Sequence, residues 1–274
     1  MLTTAQVDWG EAKAEVARAF PRLTTLLRTV GNPGAPSGVG EWTLTDVAVH
    51  LSHAVDAVTA VAKGGGGMVD DVWELPGMTA MLVQAEGERD LHALADRIDA
   101  SAAALLDAMR AAPADDRRMW MVKGIDVPLS FATCHMLNEL VMHGRDIALA
   151  DGQEWPIDRR SAVLALEGFV LPVLGALGRS MVDQDAARGL TLTYDVRIRG
   201  GGRYQFLFDD GDFAIRPGGP VRPVDVHLSA DPEALLLVSW NRISQWNAIP
   251  KGKLLAWGRK PWVGLKLRSL LRNP

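Results

Sequence analysis

Cysteine is almost absent from this sequence: Cys134 is the only one among 274 residues. A single cysteine excludes an intramolecular disulfide, and it equally excludes a cysteine-rich metal site. Any bound metal ion must therefore be held by histidine and carboxylate side chains.

The sequence also lacks a long uninterrupted apolar run. The longest one, at 169–178, is far shorter than the roughly 18 to 20 residues that a membrane-spanning helix needs. The first residues, 1–6 followed by Asp8 and Glu11, lack the basic-then-apolar pattern of a signal peptide. We therefore expect a cytoplasmic protein with no membrane partner.

An excess of positive charge is missing as well. Lysine and arginine total 29 against 33 acidic residues, a formal net charge of −4, which provides no global field for attracting nucleic acid. We predict no nucleic-acid partner. Between 251 and 274, however, there are seven basic residues and no acidic one: Lys251, Lys253, Arg259, Lys260, Lys266, Arg268 and Arg272. A solvated face explains this segment best, and a polyanion or membrane site is the alternative.

The pattern of apolar residues divides the chain into two parts. Hydrophobic residues make up 48% of the sequence, enough to bury a core. Apolar spacings of three and four predict helices near 5–30, 45–63, 86–112, 129–150 and 158–177. From about residue 188, alternating segments and glycine-rich turns predict short strands at 190–196, 204–208, 213–215, 224–228 and 253–257, with a helix at 231–240 and a last one from 261. We predict a helical domain, 1–180, followed by a smaller α+β domain, 181–274.

Two local signals concern the second helix. Thr45 is the predicted N-cap, because threonine at a helix start accepts hydrogen bonds from free backbone N–H groups. The glycines at 64–67 are expected to end this helix in a mobile loop, since glycine loses the most backbone entropy on ordering.

The helix at 129–150 carries the most informative polar residues. His135, Glu139, His143 and Asp146 follow one another at spacings of four, four and three, which puts them on one face of a helix. Glu139 and His143 are one turn apart, a separation suited to binding one ion. A solvated face is the alternative, but bulky apolar residues border the row and favour a site.

On the second helix, His50 falls within the apolar stripe, whereas His53 lies on the polar side. An inward histidine alone is more often a core residue than a ligand. With Glu139 and His143 it would complete a His-Glu-His set with an open fourth position, the ligand set expected of catalytic zinc. Nickel, iron or manganese would also accept these ligands.

Two segments resemble a known family. The run at 42–51, WTLTDVAVHL, resembles the Trp, Asp and His signature of the mycothiol-dependent maleylpyruvate isomerase family, a branch of the DinB-like metalloenzymes. The run at 139–148, ELVMHGRDIA, resembles its second motif, Glu-x-x-x-His-Gly-x-Asp. Residues 226–235 are similar to the sterol-carrier-like C-terminal domain of these isomerases. Arg145 departs from the family, which commonly has tryptophan there, so the substrate is left open.

The resemblance implies an N-terminal DinB-like four-helix bundle followed by a sterol-carrier-like α+β domain. It also implies that His50, Glu139 and His143 bind a divalent metal, usually zinc, and that mycothiol is the thiol cofactor or cosubstrate. It assigns no catalytic or mycothiol-binding residue and no oligomeric state. Trp42 and Asp46 are interpreted as packing and capping residues, and Asp146 as a hydrogen-bond acceptor for a ligand imidazole or for the following helix. His135 stays unassigned.

Two hypotheses of function follow. In the first, a metal-activated mycothiolate adds to a small electrophile, for cis–trans isomerisation or for thiol transfer, and Cys134 is only a small core residue. In the second, the protein is a non-catalytic carrier of an apolar molecule with a structural metal site, and residues 234–240, Trp246 and Trp257 line its cavity.

Overall fold

The computed structural model describes residues 7–112 and 114–272. The chain forms two compact units, one comprising Asp8–Ile157 and the other running from Asp158 onward. The predicted fold class, a helical bundle followed by an α+β region, is confirmed. The predicted domain division at 180 stays a prediction; by compactness, the helices between 159 and 177 group with the α+β unit.

The first unit is built on four long helices: α1 (Trp9–Leu27), α2 (Leu44–Ala62), α4 (Leu91–Ala111) and α5 (Leu129–Ala150). Helices α1 and α2 each pack against both α4 and α5, which gives a four-helix arrangement with an apolar interior. Helix α5 is buried along most of its length, including nearly every residue from Leu129 to Leu140. This central position places the polar row of α5 inside the bundle instead of at its surface.

The N-cap of helix α2 lies two residues before the predicted one. Thr43 is the N-cap: its side chain accepts from Asp46 N at 3.2 Å, and Asp46 Oδ2 accepts from Thr43 N at 2.9 Å. This reciprocal capping box satisfies two helix-end donors at once. The prediction of Thr45 was wrong, because Thr45 lies in the first turn and donates its hydroxyl proton to Pro33 O.

Two elements of this unit were not predicted. Helix α3 (Leu75–Ala85) follows a 3₁₀ turn at Val72–Glu74, and a short hairpin pairs β1 (Arg117–Met119) with β2 (Asp126–Pro128). The glycine run lies beside this hairpin, where Gly67 N donates to Trp120 O at 2.6 Å. A β-carbon at Gly66 would lie 1.9 Å from Met119 O, so only glycine fits this approach.

The second unit contains a five-stranded sheet in the order β5-β4-β3-β6-β7. Its strands are β3 (Thr191–Ile198), β4 (Arg203–Asp209), β5 (Asp212–Pro217), β6 (Val226–Ala230) and β7 (Leu254–Trp257). All neighbours are antiparallel except β3 and β6, which are parallel. The helices of this unit are α6 (Arg159–Ala165), α7 (Leu171–Leu177), α8 (Gln184–Ala187), α9 (Pro232–Ser239), α10 (Gln245–Ala248) and α11 (Leu267–Leu270).

The stretch Arg159–Met181 is long and apolar enough, by length and composition, to cross a membrane. It consists of α6, a π-helical turn at Leu166–Val170, α7 and a 3₁₀ turn at Gly178–Met181. In its most apolar window, 61% of the residues are buried inside the protein, as in a core helix of a folded domain. Length and composition alone are weak evidence for a membrane span.

Candidate metal centre

His50 on α2 and two residues of α5, Glu139 and His143, meet inside the helical bundle. Each offers one ligand atom, and the three atoms lie within 4.8 Å of one another. His50 Nε2 is 3.0 Å from Glu139 Oε2, and His143 Nε2 is 3.4 Å from the same oxygen. The two imidazole rings stand edge to face, with centroids 4.8 Å apart. The structure therefore brings together the three predicted ligands.

The donor atoms fit a small divalent cation. Bonds of about 2.0–2.2 Å in a tetrahedral site put neighbouring ligand atoms roughly 3.4 Å apart. The separations of 3.0 and 3.4 Å to Glu139 Oε2 are close to that value. The side chains of His50, Glu139 and His143 are only 16, 12 and 13% exposed. A carboxylate buried between imidazoles is a nitrogen–oxygen ligand set suited to zinc and to other divalent transition metals.

The titration of the three groups follows from this packing. Burial opposes the ionisation of Glu139, but hydrogen bonds from His135, His143 and His50 outweigh it and hold the pKa of Glu139 well below its usual range. Burial lowers the pKa of His50, which keeps that imidazole neutral and able to offer a lone pair. Glu139 is thus an anion, and His50 is a neutral imidazole.

Asp146 fixes the orientation of His143. Its Oδ2 lies 3.0 Å from His143 Nδ1, and its side chain is 5% exposed. Burial lowers the pKa of His143, but the carboxylates of Asp146 and Glu139 outweigh this effect and raise it to about 9. With Nδ1 held by Asp146, it is Nε2 of His143 that faces Glu139. The contact expected for Asp146 is therefore present.

His135 contacts the other oxygen of Glu139. Trp120 Nε1 donates to His135 Nδ1 at 3.5 Å, and His135 Nε2 lies 3.6 Å from Glu139 Oε1. Because an indole N–H can only donate, Nδ1 of His135 is the acceptor in this contact, and Nε2 is the nitrogen that faces the carboxylate. Oε1 of Glu139 accepts from Asn138 Nδ2 at 3.3 Å and also lies near His135, while Oε2 faces His50 and His143.

Trp120 was not predicted as part of this site. It follows β1 directly, and strands β1 and β2 have three residues each, too short for a recognisable alternation of apolar and polar residues. Its ring also packs edge to face against Phe131, with centroids 5.4 Å apart. No pattern in the sequence connects this tryptophan with α5.

The remaining residues of the two motifs have packing roles. The Trp42 ring lies 5.4 Å from that of His50, and Asp46 belongs to the capping box and pairs with Arg89 at 2.7 Å. A β-carbon at Gly144 would approach the Trp155 ring to 2.4 Å, so this position requires glycine. Arg145 is half-buried, and its side chain forms no hydrogen bond or ion pair with residues 7–112 or 114–272.

Two predictions about other side chains can be compared with the structure. Cys134 is completely buried, as expected of a core residue. His53 is half-buried instead of facing solvent, and its Nε2 lies 3.4 Å from Glu86 Oε2, outside the group formed by His50, Glu139 and His143.

Comparison with known proteins points to one family. Residues 14–148 match the family model described as the mycothiol maleylpyruvate isomerase N-terminal domain. No curated protein matches the sequence significantly. The match spans the whole helical bundle apart from the ends of its first and last helices, and it includes His50, Glu139 and His143.

Several solved structures are similar. A mycothiol-dependent maleylpyruvate isomerase is 15% identical over 91% of this chain and 93% of its own, with a TM-score of 0.48. A histidine-to-alanine mutant of a mycothiol-dependent maleylpyruvate isomerase is 14% identical with the same coverage and a TM-score of 0.49. A stereoselective inverting sec-alkylsulfatase from Pseudomonas sp. is 14% identical over 90% of this chain and 35% of its own, with a TM-score of 0.34. The assignment to a family rests on the family model alone.

Proposed function

We propose that this protein is a metal-dependent enzyme that uses mycothiol as its thiol cofactor or cosubstrate, because residues 14–148 match the family model of the mycothiol maleylpyruvate isomerase N-terminal domain. The observation that carries the proposal is the convergence of ligand atoms from His50, Glu139 and His143 within 4.8 Å. Zinc is the proposed ion, since two imidazoles and one carboxylate with an open position are typical of catalytic zinc.

The protein's own side chains prepare this site for an ion. His50 offers a neutral imidazole, and Glu139 offers a carboxylate whose second oxygen accepts from Asn138 and lies near His135. His143 must release the proton at Nε2 when an ion binds, while Asp146 keeps the proton at Nδ1. The ligands are thus oriented before the ion arrives.

A divalent ion at this position lowers the pKa of a thiol that reaches it, so that the thiolate is available at neutral pH. The protein does not supply that thiol itself, because Cys134 is fully buried and does not belong to the group formed by His50, Glu139 and His143. An external thiol is therefore required, and mycothiol is the one named by the family.

The thiolate would attack a small electrophile with a carbon–carbon double bond. Formation of the carbon–sulfur bond converts the double bond into a single bond and removes its barrier to rotation. Expulsion of the thiolate after rotation restores the double bond in the trans form, and this is a maleylpyruvate-type cis–trans isomerisation. If the adduct is protonated and released, the same first step gives thiol transfer.

A carrier of an apolar ligand with a structural metal is the alternative, and less supports it. Trp246 borders a cavity of about 350 Å³ together with Val238, but its side chain is 60% exposed. Trp257 does not line that cavity, and its ring stacks on His227 with centroids 5.6 Å apart.

The proposed setting is the cytoplasm, because the sole cysteine leaves the chain without an internal disulfide to maintain.

The test of function is turnover of maleylpyruvate by the metal-loaded protein with and without mycothiol. We expect turnover only with the thiol, its loss in His143→Ala, and its retention in the control His53→Ala. Turnover that does not depend on mycothiol would contradict the proposal.

A further inference from the structure

The exposed tryptophans of this protein are concentrated in one part of the second unit. Trp246, Trp257 and Trp262 are 60, 48 and 61% exposed, and no other tryptophan among residues 7–112 and 114–272 is among the exposed large hydrophobic side chains. Leu255 and Leu265 in the same segment are 46 and 38% exposed. Isolated exposed apolar residues are ordinary, but a cluster of aromatic and aliphatic ones indicates a binding surface.

These residues lie on neighbouring elements at one edge of the sheet. Gln245 Nε2 donates to Leu265 O at 3.1 Å, which joins α10 to the 3₁₀ turn at Pro261–Lys266. That turn packs on edge strand β7, where a β-carbon at Gly264 would lie 2.9 Å from the Ala256 methyl. Trp257 and Leu255 alternate with Ala256 along β7 and lie on the other face of the sheet, where Trp257 stacks on His227. We call the region on the side of the turn the basic aromatic edge and define it by Trp246, Lys251, Trp262, Leu265, Lys266 and Arg268.

The charge of this edge is positive. The segment from Lys251 to Arg272 contains seven basic and no acidic residues, although the whole chain has a net charge of −4. Asp225 pairs with Arg259 and Lys260, and Glu233 pairs with Lys253. Lys251 and Lys266 are exposed and form no ion pair within the described chain. Their charge is therefore available to a partner.

Arg268 adds a third cation beside the cavity of about 350 Å³. Its Nε and Nη2 donate to Asn241 Oδ1 at 3.0 and 2.6 Å, and Nη1 donates to Leu271 O. All these acceptors are neutral, and no carboxylate pairs with this guanidinium in the described part of the chain. The cavity is also lined by Val238 and Trp246, so it combines an apolar wall with an uncompensated positive charge.

We propose that the basic aromatic edge binds the surface of an anionic lipid bilayer, with Arg268 facing a lipid phosphate. Tryptophan is the residue enriched at the membrane–water interface, and lysines beside it attract anionic headgroups. The exposed side chain of Leu265 suits contact with the acyl boundary of a bilayer, whereas a single-stranded nucleic acid offers no comparable aliphatic surface. The sequence alone favoured a solvated face for this segment, and the exposure of the tryptophans reverses that preference.

This inference is independent of the proposed enzyme activity, since it rests on the second unit alone. The experiment is flotation of the full-length protein with vesicles of phosphatidylcholine, alone or mixed equally with phosphatidylglycerol. We expect binding to the mixed vesicles only, with a blue shift of tryptophan fluorescence. Binding should weaken as salt is raised, because salt screens exposed charges.

Two double variants and one control test whether the residues of the basic aromatic edge bind the vesicles. Trp246→Ala with Trp262→Ala removes the aromatic anchors, and Lys251→Ala with Lys266→Ala should weaken binding by roughly thirtyfold. Met81→Ala with Leu149→Ala removes side chains that are 60 and 50% exposed in the other unit, and it should bind normally. The lysine variant keeps the test valid if the tryptophan variant fails to fold.

The proposal fails if the wild-type protein does not float with anionic vesicles, or if it floats equally with neutral ones. It also fails if the tryptophan variant abolishes a self-association seen without lipid, because a second copy of this chain would then cover the edge. Tighter binding to a single-stranded oligonucleotide than to the vesicles would assign the edge to nucleic acid instead.

Discussion

Asp146 and His143 are joined through a single contact, in which Asp146 Oδ2 lies 3.0 Å from His143 Nδ1. The contact is buried, and it leaves Nε2 as the nitrogen that faces Glu139. A carboxylate behind a ligating imidazole sets the tautomer and increases the basicity of the nitrogen that binds the ion. Through this contact, Asp146 should influence how strongly the proposed metal site binds its ion.

The first prediction concerns this pair. Asp146→Asn should lower the affinity for Zn²⁺ by about 10- to 100-fold, because the amide neither carries the charge nor dictates the tautomer of His143. Competition with a chelator of known affinity measures the loss. Asp107→Asn is the control, since Asp107 is exposed on α4. Equal affinities in the two variants would mean that Asp146 has only a structural role.

The second prediction concerns the ligands themselves. The protein should hold about one divalent ion per chain, because its three proposed ligands form a single site. Since the protein provides only these three ligands, the loss of any one should weaken binding strongly. His50→Ala, Glu139→Ala and His143→Ala should each lose most of the ion, whereas His53→Ala should retain it. His135→Ala should retain the ion with reduced affinity. Elemental analysis of the purified variants decides the point, and complete loss in His135→Ala would show that a different member of the α5 row is the ligand.

The third prediction concerns pH. In the metal-free protein the pKa of His143 is raised from 6.5 to about 9, so a proton occupies the ligand nitrogen at neutral pH and competes with the ion. The apparent affinity for Zn²⁺ should therefore increase as pH rises towards about 9. In the metal-free state, the same shift stabilises the fold fully below pH 6.5, and this contribution is lost as pH rises through about 9.

Isothermal titration calorimetry in buffers of different ionisation enthalpy measures both the affinity and the protons released. We expect about one proton per ion in wild type at neutral pH, and fewer in Asp146→Asn, in which the pKa of His143 is no longer raised by a carboxylate at Nδ1. An affinity that does not change with pH would contradict the titration described for His143.

The fourth prediction concerns the packing behind the site. Gly144→Ala should destabilise the protein by about 1 to 3 kcal/mol, because the new methyl group would overlap the Trp155 ring. Gly77→Ala is the matched control: it is also helical, and nothing lies within 4 Å of its β-carbon position. Chemical denaturation measures both free energies of unfolding. Similar values for the two variants would show that the Trp155 ring moves aside without cost.

Much of this candidate site could be predicted from the sequence, because two of its three proposed ligands are close together on one helix. Glu139 and His143 are one helical turn apart, and a buried helix with a polar row indicates an internal site. His50 was identifiable by its position in the apolar stripe of α2. The pairing of α2 with α5 is a tertiary contact, however, and the spacing within either helix does not determine it.

Other features could not be predicted because they depend on contacts between distant segments. Trp120 meets His135 only through a hairpin whose strands have three residues each. The glycine run was expected to be mobile, but its backbone pairs with residues 119–121, which no local pattern indicates. Thr43 and Thr45 are both good N-cap residues, and the reciprocal bond with Asp46 selects Thr43. Exposure of Trp246 and Trp262 is likewise visible only in the folded chain.

The central claim is that an external thiol reaches the ion held by His50, Glu139 and His143, and substitution of Co²⁺ for Zn²⁺ tests it most directly. Thiolate ligation to cobalt produces an intense near-ultraviolet charge-transfer band. We predict that mycothiol generates this band in wild type and in Cys134→Ala, and that an analogue with a hydroxyl in place of the thiol does not. No band at saturating mycothiol, or a band that disappears in Cys134→Ala, would contradict the account.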